Sequence, residues 1–132
     1  MDEFKISISS KPENINKVEA FLDEMYNKFS VKEDIFGNML ISLTEAVNNS
    51  IIHGNELDDS KLVTVVCKYD GEKMVFLVSD EGEGFDYENL PDPTSPENLE
   101  KLTGRGVFLM KQLSDEVEYT NGGNTVALTF KL

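Results

Sequence analysis

The chain is 132 residues long, 39% hydrophobic and 28% charged, which excludes a chain kept open by its own polarity and predicts one folded domain. Its formal net charge of -13 leaves DNA and RNA as poor partners, because phosphodiester binding draws its affinity from cations that release counterions. The acidity fits either plain solubility or a basic protein partner.

MDEFKISISS at the N-terminus is acidic where a secretory signal is basic, and no apolar run reaches the roughly 20 residues a bilayer span needs. A cytoplasmic protein without membrane contact is expected. Phe4, Ile6 and Ile8 alternate with polar residues, the period of a half-buried strand. From Lys11 to Phe29, apolar residues recur at helical spacing behind Pro12, which is harmless near a helix start. A second helix is expected from about Lys32 to His53, closed by Gly54 as a left-handed cap.

Leu62 to Tyr69 and Lys73 to Ser79 are rich in β-branched and aromatic residues and flank Asp70-Gly71, which predicts a tight antiparallel hairpin. Cys67 lies in the first of these runs and reads as a core thiol. The segment EGEGFDYENLPDPTSPENLEKLTGRG, crowded with proline and glycine, is expected to be irregular and lid-like. A helix from about Arg105 to Leu113, a strand over Glu116 to Tyr119, a turn at Asn121-Gly122-Gly123 and a strand from Thr125 to Leu132 complete the order. Strands grouped in hairpins argue for an α+β fold, with helices layered on one face of a mainly antiparallel sheet.

Along the second helix, Phe36, Met39, Leu40, Leu43, Ala46, Val47 and Ile51 form an apolar face expected to pack on the sheet. Asn38, Ser42, Glu45, Asn49 and His53 fall on the opposite side, four, three, four and four residues apart. A solvated helix face would account for such a stripe. Yet no Lys or Arg occurs between Lys32 and Lys61, and Ile41 and Ile52 flank it, which favours a cleft wall. Glu45 could take a proton from a nucleophile, and the Asn49 amide, one turn on, could meet a hard cation that keeps several waters. Asn48 reads as a packing or capping residue, and His53 beside Gly54 as a helix cap rather than a catalyst.

VFLVSDEGEGF ends a buried strand on Asp80. An EF-hand starting there fails, with Gly82 and Gly84 in ligand positions and Pro91 at the twelfth place. A dinucleotide fingerprint fails too, because Tyr87 stands where the third glycine belongs, and no GxxxxGK[ST] occurs. What remains is either an acidic turn or a carboxylate that meets a donor such as a purine amino group. In TGRGVFLM, Gly104 and Gly106 frame Arg105, the only arginine, before an apolar helix. Such a helix start can hold an anion, or be an ordinary glycine-rich turn with one surface arginine.

Together, EAVNNSIIHGN, DEGEG and GRG resemble the N box and the two glycine boxes of the gyrase, chaperone, histidine-kinase and mismatch-repair ATPases, over roughly Met39 to Leu132. The compact size, the short lid, the form of the N box and the closing GGNTVALTFKL most resemble the anti-sigma factor serine-protein kinases of bacterial stress and sporulation switches. The resemblance implies a two-layer α/β sandwich with a mixed, mainly antiparallel sheet that binds Mg-ATP. Residues 1–132 would form a single domain: N box 45–55, first glycine box 80–84, lid 86–103, second glycine box 104–106. Glu45 would be the general base, Asn49 the magnesium ligand and Asp80 the acceptor for the adenine amino group. Gly82 and Gly84 would border the base; Gly104, Arg105 and Gly106 would cover the phosphates; Thr125 would support the adenine pocket through water. Arg105 departs from the apolar residue often found in that box.

The implied activity is phosphorylation of an anti-sigma factor antagonist, coupled to sequestration of a sigma factor. A non-catalytic nucleotide-dependent switch stays open beside it, as does the ATP-binding half of a histidine kinase, although no phosphoacceptor hairpin precedes the domain. Homodimerisation is left open.

Overall fold

Period-two alternation builds the sheet. The computed structural model describes residues 2–82, 102–120 and 123–132, and for residues 102–107 the helical backbone alone. Its strands are β1 (Asp2–Ser9), β2 (Leu62–Tyr69), β3 (Lys73–Ser79), β4 (Glu116–Thr120) and β5 (Thr125–Lys131). They pair antiparallel at every described contact, in the order β1-β2-β3-β5-β4. Val63, Val65 and Cys67 on β2, Met74, Phe76 and Val78 on β3, and Val126, Leu128 and Phe130 on β5 are buried, while their neighbours are less so.

The inward row meets α1 (Ile15–Phe29) and α2 (Glu33–Asn49) in one apolar cluster that includes Val18, Leu22, Met39, Leu43 and Val47. Each such side chain stabilises the fold by about 1.5–3 kcal/mol through removal from water. A third helix, α3 (Leu102–Leu113), packs along α2 and adds Met110 to the same cluster. The result is the expected α+β arrangement, helices on one face of the sheet. Burial pushes the Cys67 thiol up to about 12, so it stays protonated and inert, as a core thiol should.

The β2–β3 hairpin follows its turn chemistry: Asp70 Oδ1 accepts from the N–H groups of Glu72 and Lys73, each at 2.9 Å, and Gly71 takes φ 93°. Chain entry into α1 goes through a 3₁₀ turn at Pro12–Asn14.

Three expectations change. The α-helical part of α2 stops at Asn49 and widens into a π-helical turn, Ser50–Gly54, closed by Asn55 N–H donating to the Ser50 carbonyl at 2.8 Å. Gly54 is not left-handed; positive φ comes later, at Glu56 (51°) and Leu57 (61°). Ser42 does not face a cleft: it is fully buried, 3.4 Å from the Ser114 hydroxyl, because α3 packs over that part of the helix. Finally, α3 begins at Leu102 and not near Arg105, so Gly104-Arg105-Gly106 sits within the helix instead of preceding it. The expected lid, 86–103, lies almost wholly outside the described residues.

Candidate functional site

Where α2 ends, the chain leaves a cleft against the sheet. Asn49, Ser50, His53 and Gly54 form one wall; Val78 and Val126 on neighbouring strands, with Met110 of α3, supply apolar surface. The space between these surfaces is partly open to solvent and mostly apolar in its lining. One carboxylate, Asp80, enters this space.

The geometry around Asp80 is fixed from several sides. Its N–H donates to the Asn124 carbonyl at 3.0 Å, tying the end of β3 to the start of β5. The Gly82 N–H donates to Asp80 Oδ1 at 2.8 Å, and the Ser50 side chain also donates to the carboxylate. Burial raises the Asp80 pKa above the ordinary 3.8, against the opposing effect of Gly82, Ser50 and the Lys61 charge. An ionised carboxylate offers about four acceptor positions, so these bonds leave capacity for a donor arriving through the cleft.

Glycine is required on both sides of this group. A Cβ at Gly54 would collide with the Asp80 carboxylate, and one at Gly82 would collide with the Gly54 carbonyl. Gly54 therefore serves as the seat of the carboxylate, not as the cap that its position after a helix suggested. Nothing in the local sequence could show this, since the contact spans 26 residues, from 54 to 80.

Asn49 and Asp80, both singled out in the sequence, line the same cleft. The Asn49 amide nitrogen is buried and has no hydrogen-bond partner among the described residues. Such an orphan costs about 1–3 kcal/mol, and a ligand is one way to supply its partner. His53, expected to cap the helix, also lines the cleft. Glu45 sits one turn before Asn49, half-buried, and is not among the lining residues.

Thr125 does not line the cleft either; its hydroxyl donates to Asn124 Oδ1 at 3.1 Å and lies 3.2 Å from the Ser79 hydroxyl, from which it can accept, so its link to the lining runs through Asn124. Gly84 lies outside the described residues, as do the side chains at 104–106. The strand and helix periodicities gave no sign of Tyr119, whose hydroxyl burial pushes towards the neutral form, or of Asn124 as lining residues.

No group of three or more His, Cys, Asp or Glu able to hold a metal occurs among the described residues. A neutral amide such as that of Asn49 is instead the kind of single protein ligand that suits magnesium held chiefly by phosphate oxygens and water. Only the Asn49 amide oxygen could meet such an ion, since the orphaned nitrogen is a donor and does not bind a cation.

The fold therefore presents a hollow beside a π-turned helix end, with a carboxylate seated against two glycines. Residues 8–130 match the model of the histidine kinase-like ATPase domain, and the chain belongs to that family. It is similar to the serine-protein kinase RsbW of Staphylococcus aureus, in strains MRSA252 and Newman alike: 26% identical, over 97% of this chain and 86% of those proteins. The crystal structure of the RsbU and RsbW domains of Rv1364c from Mycobacterium tuberculosis superposes with a TM-score of 0.66 at 16% identity, over 99% of this chain. That likeness supports the fold; the chain spans 32% of the larger protein.

Proposed function

We propose that the protein binds Mg-ATP and transfers the γ-phosphoryl group to a serine or threonine of an anti-sigma factor antagonist, and that it sequesters a sigma factor. The observation that carries the nucleotide reading is the Asp80 carboxylate seated on Gly54 and Gly82 in the same cleft as Asn49. The kinase reading adds the similarity to RsbW serine-protein kinases over most of both chains.

Asp80 accepts a hydrogen bond from the adenine amino group, with Val78 and Val126 against the ring and Gly82 and Gly84 bordering it. Asn49 would hold the magnesium ion through its amide oxygen, and the ion would offset triphosphate charge. Gly104, Arg105 and Gly106 cover the phosphates. Glu45 accepts the proton of the partner's hydroxyl as its oxygen bonds to the γ-phosphorus, and the bond to the β–γ bridging oxygen breaks to release ADP. The partner supplies the nucleophile, and the activity belongs in the cytoplasm. Among the described residues no helix is long and apolar enough to cross a membrane.

A second reading, a nucleotide-dependent binder without catalysis, is favoured by Glu45 standing outside the cleft lining. One experiment separates the two. Label from γ-labelled ATP should pass to an antagonist protein, and Glu45→Ala should slow that transfer by roughly 10²-fold or more while nucleotide affinity holds. Tight ATP binding with no transfer to any antagonist favours the binder.

A further inference from the structure

Asn55 closes the N box in sequence, but its side chain points away from the cleft-lining set and is completely buried, at 0% exposure. Its amide nitrogen donates to Ser10 Oγ at 2.8 Å and to the Leu62 carbonyl at 3.1 Å. Its oxygen accepts from the Glu81 N–H at 2.8 Å. The amide orientation is determined by chemistry. Ser10 has one hydroxyl proton, and it goes to the Lys61 carbonyl at 2.8 Å, so Ser10 Oγ must accept and Asn55 must present its nitrogen there.

The consequence falls on Asp80. Glu81 N–H belongs to the peptide group directly after Asp80, and that peptide is pinned to the buried amide of the residue that follows the Ser50–Gly54 π-turn. Asn55 N–H closes the same turn onto the Ser50 carbonyl. One residue thus sets the carboxylate's backbone, through Glu81, and the helix end that cradles it. Aspartate at 55 could accept from Glu81 but could not donate to Leu62, so the two-sided amide is needed.

We propose that Asn55 is a positioning residue for base selection: by fixing the peptide after Asp80 it aims the carboxylate at an exocyclic amino group, and so sets the preference for adenine over hypoxanthine nucleotides. Hypoxanthine presents a carbonyl oxygen at the same place, which repels an aimed carboxylate and is tolerated by a loose one. This rests on the nucleotide reading of the cleft given above.

The test is calorimetric titration of the full chain with ADP and with IDP. Wild-type protein should prefer ADP by about tenfold or more, the scale expected when a built acceptor meets the wrong group. Asn55→Ala should lose about tenfold in ADP affinity with little change for IDP, so that the preference collapses. Ser10→Ala, which removes a partner of Asn55 remote from Asp80, should lower thermal stability and keep the preference. A purely structural role moves stability in both variants and the ADP-to-IDP ratio in neither. A folded Asn55→Ala that retains the wild-type ratio overturns the inference and leaves the nucleotide reading standing. Wild-type protein that binds neither nucleotide overturns both.

Amide exchange on the wild-type chain gives a readout that does not depend on any variant folding. The Glu81 N–H should exchange at least about 100-fold slower than an unprotected amide before nucleotide is added, although the Glu81 residue itself is exposed. Exchange at the unprotected rate overturns the pinning on which the inference depends.

Discussion

At Asp80, burial works against the ionised form that the proposed acceptor role would use. Its pKa is raised above the ordinary 3.8 chiefly by burial, so the native state holds that proton more tightly than the unfolded chain does. The stability this contributes is fully present below the ordinary value and is lost as pH rises through the raised one. Ionising the buried group costs native-state stability. Asp80→Asn should therefore make the nucleotide-free protein more stable at pH 7 and flatten the decline in stability from acid towards neutral pH. It should also weaken adenine nucleotide binding, because one acceptor oxygen becomes a donor. Urea unfolding of both proteins across that window checks this, and a wild type whose stability climbs relative to the variant with rising pH contradicts it. Asp80 was legible in the sequence because a carboxylate ending MVFLVS has to meet a donor. Gly54 and Asn55 were not, since their partners, Asp80 and Ser10, come from distant segments.

Among the elements, periodicity and turn chemistry located what local physics controls. The hairpin matched at Leu62–Tyr69 and Lys73–Ser79 because Asp70-Gly71 satisfies its own backbone there. Helix ends were less legible. A glycine after an apolar helix reads as a left-handed stop, but tertiary contact with Asp80 claims Gly54 and moves the positive φ values downstream. The stripe on α2 read as a single surface, whereas packing of α3 buries Ser42 and leaves Asn49 and His53 at the cleft. At the end of α1 the reverse holds: Ser30 sits at φ 53° and ψ 47°, exposed, its N–H donating to the Tyr26 carbonyl. A non-glycine residue there costs about 1–2 kcal/mol, partly offset in glycine by roughly 0.5–1 kcal/mol of unfolded-state entropy. Ser30→Gly should stabilise the protein by about 0.5–1 kcal/mol, raising the melting temperature by roughly 2–5 °C, and should leave nucleotide affinity unchanged. A lower melting temperature in a differential scan would show that Ser30 contributes more than its cap geometry.

The whole molecule carries a net charge of -13, and the single ion pair among the described residues, Lys11 with Asp59 at 3.8 Å, is exposed at both ends. Such a pair contributes at most about 1 kcal/mol, so it does little against the repulsion of the whole charge. The same field acts on a triphosphate that approaches the cleft. Among the described residues, Lys61 is the one cation whose charge is felt at Asp80, and it does not line the cleft. Raising ionic strength shortens the screening length from about 30 Å at 0.01 M to about 8 Å at 0.15 M. Like-charged association should accelerate as it does so, the reverse of the usual steering between opposite charges. Stopped-flow mixing should accordingly show the ATP association rate rising several-fold over that salt range. Removing magnesium with a chelator should slow the rate further at low salt, because the bare nucleotide carries more negative charge, and should steepen the salt dependence. An association rate that falls with salt would mean that a local cationic field near the phosphates, for which Arg105 is the obvious source, outweighs the charge of the chain.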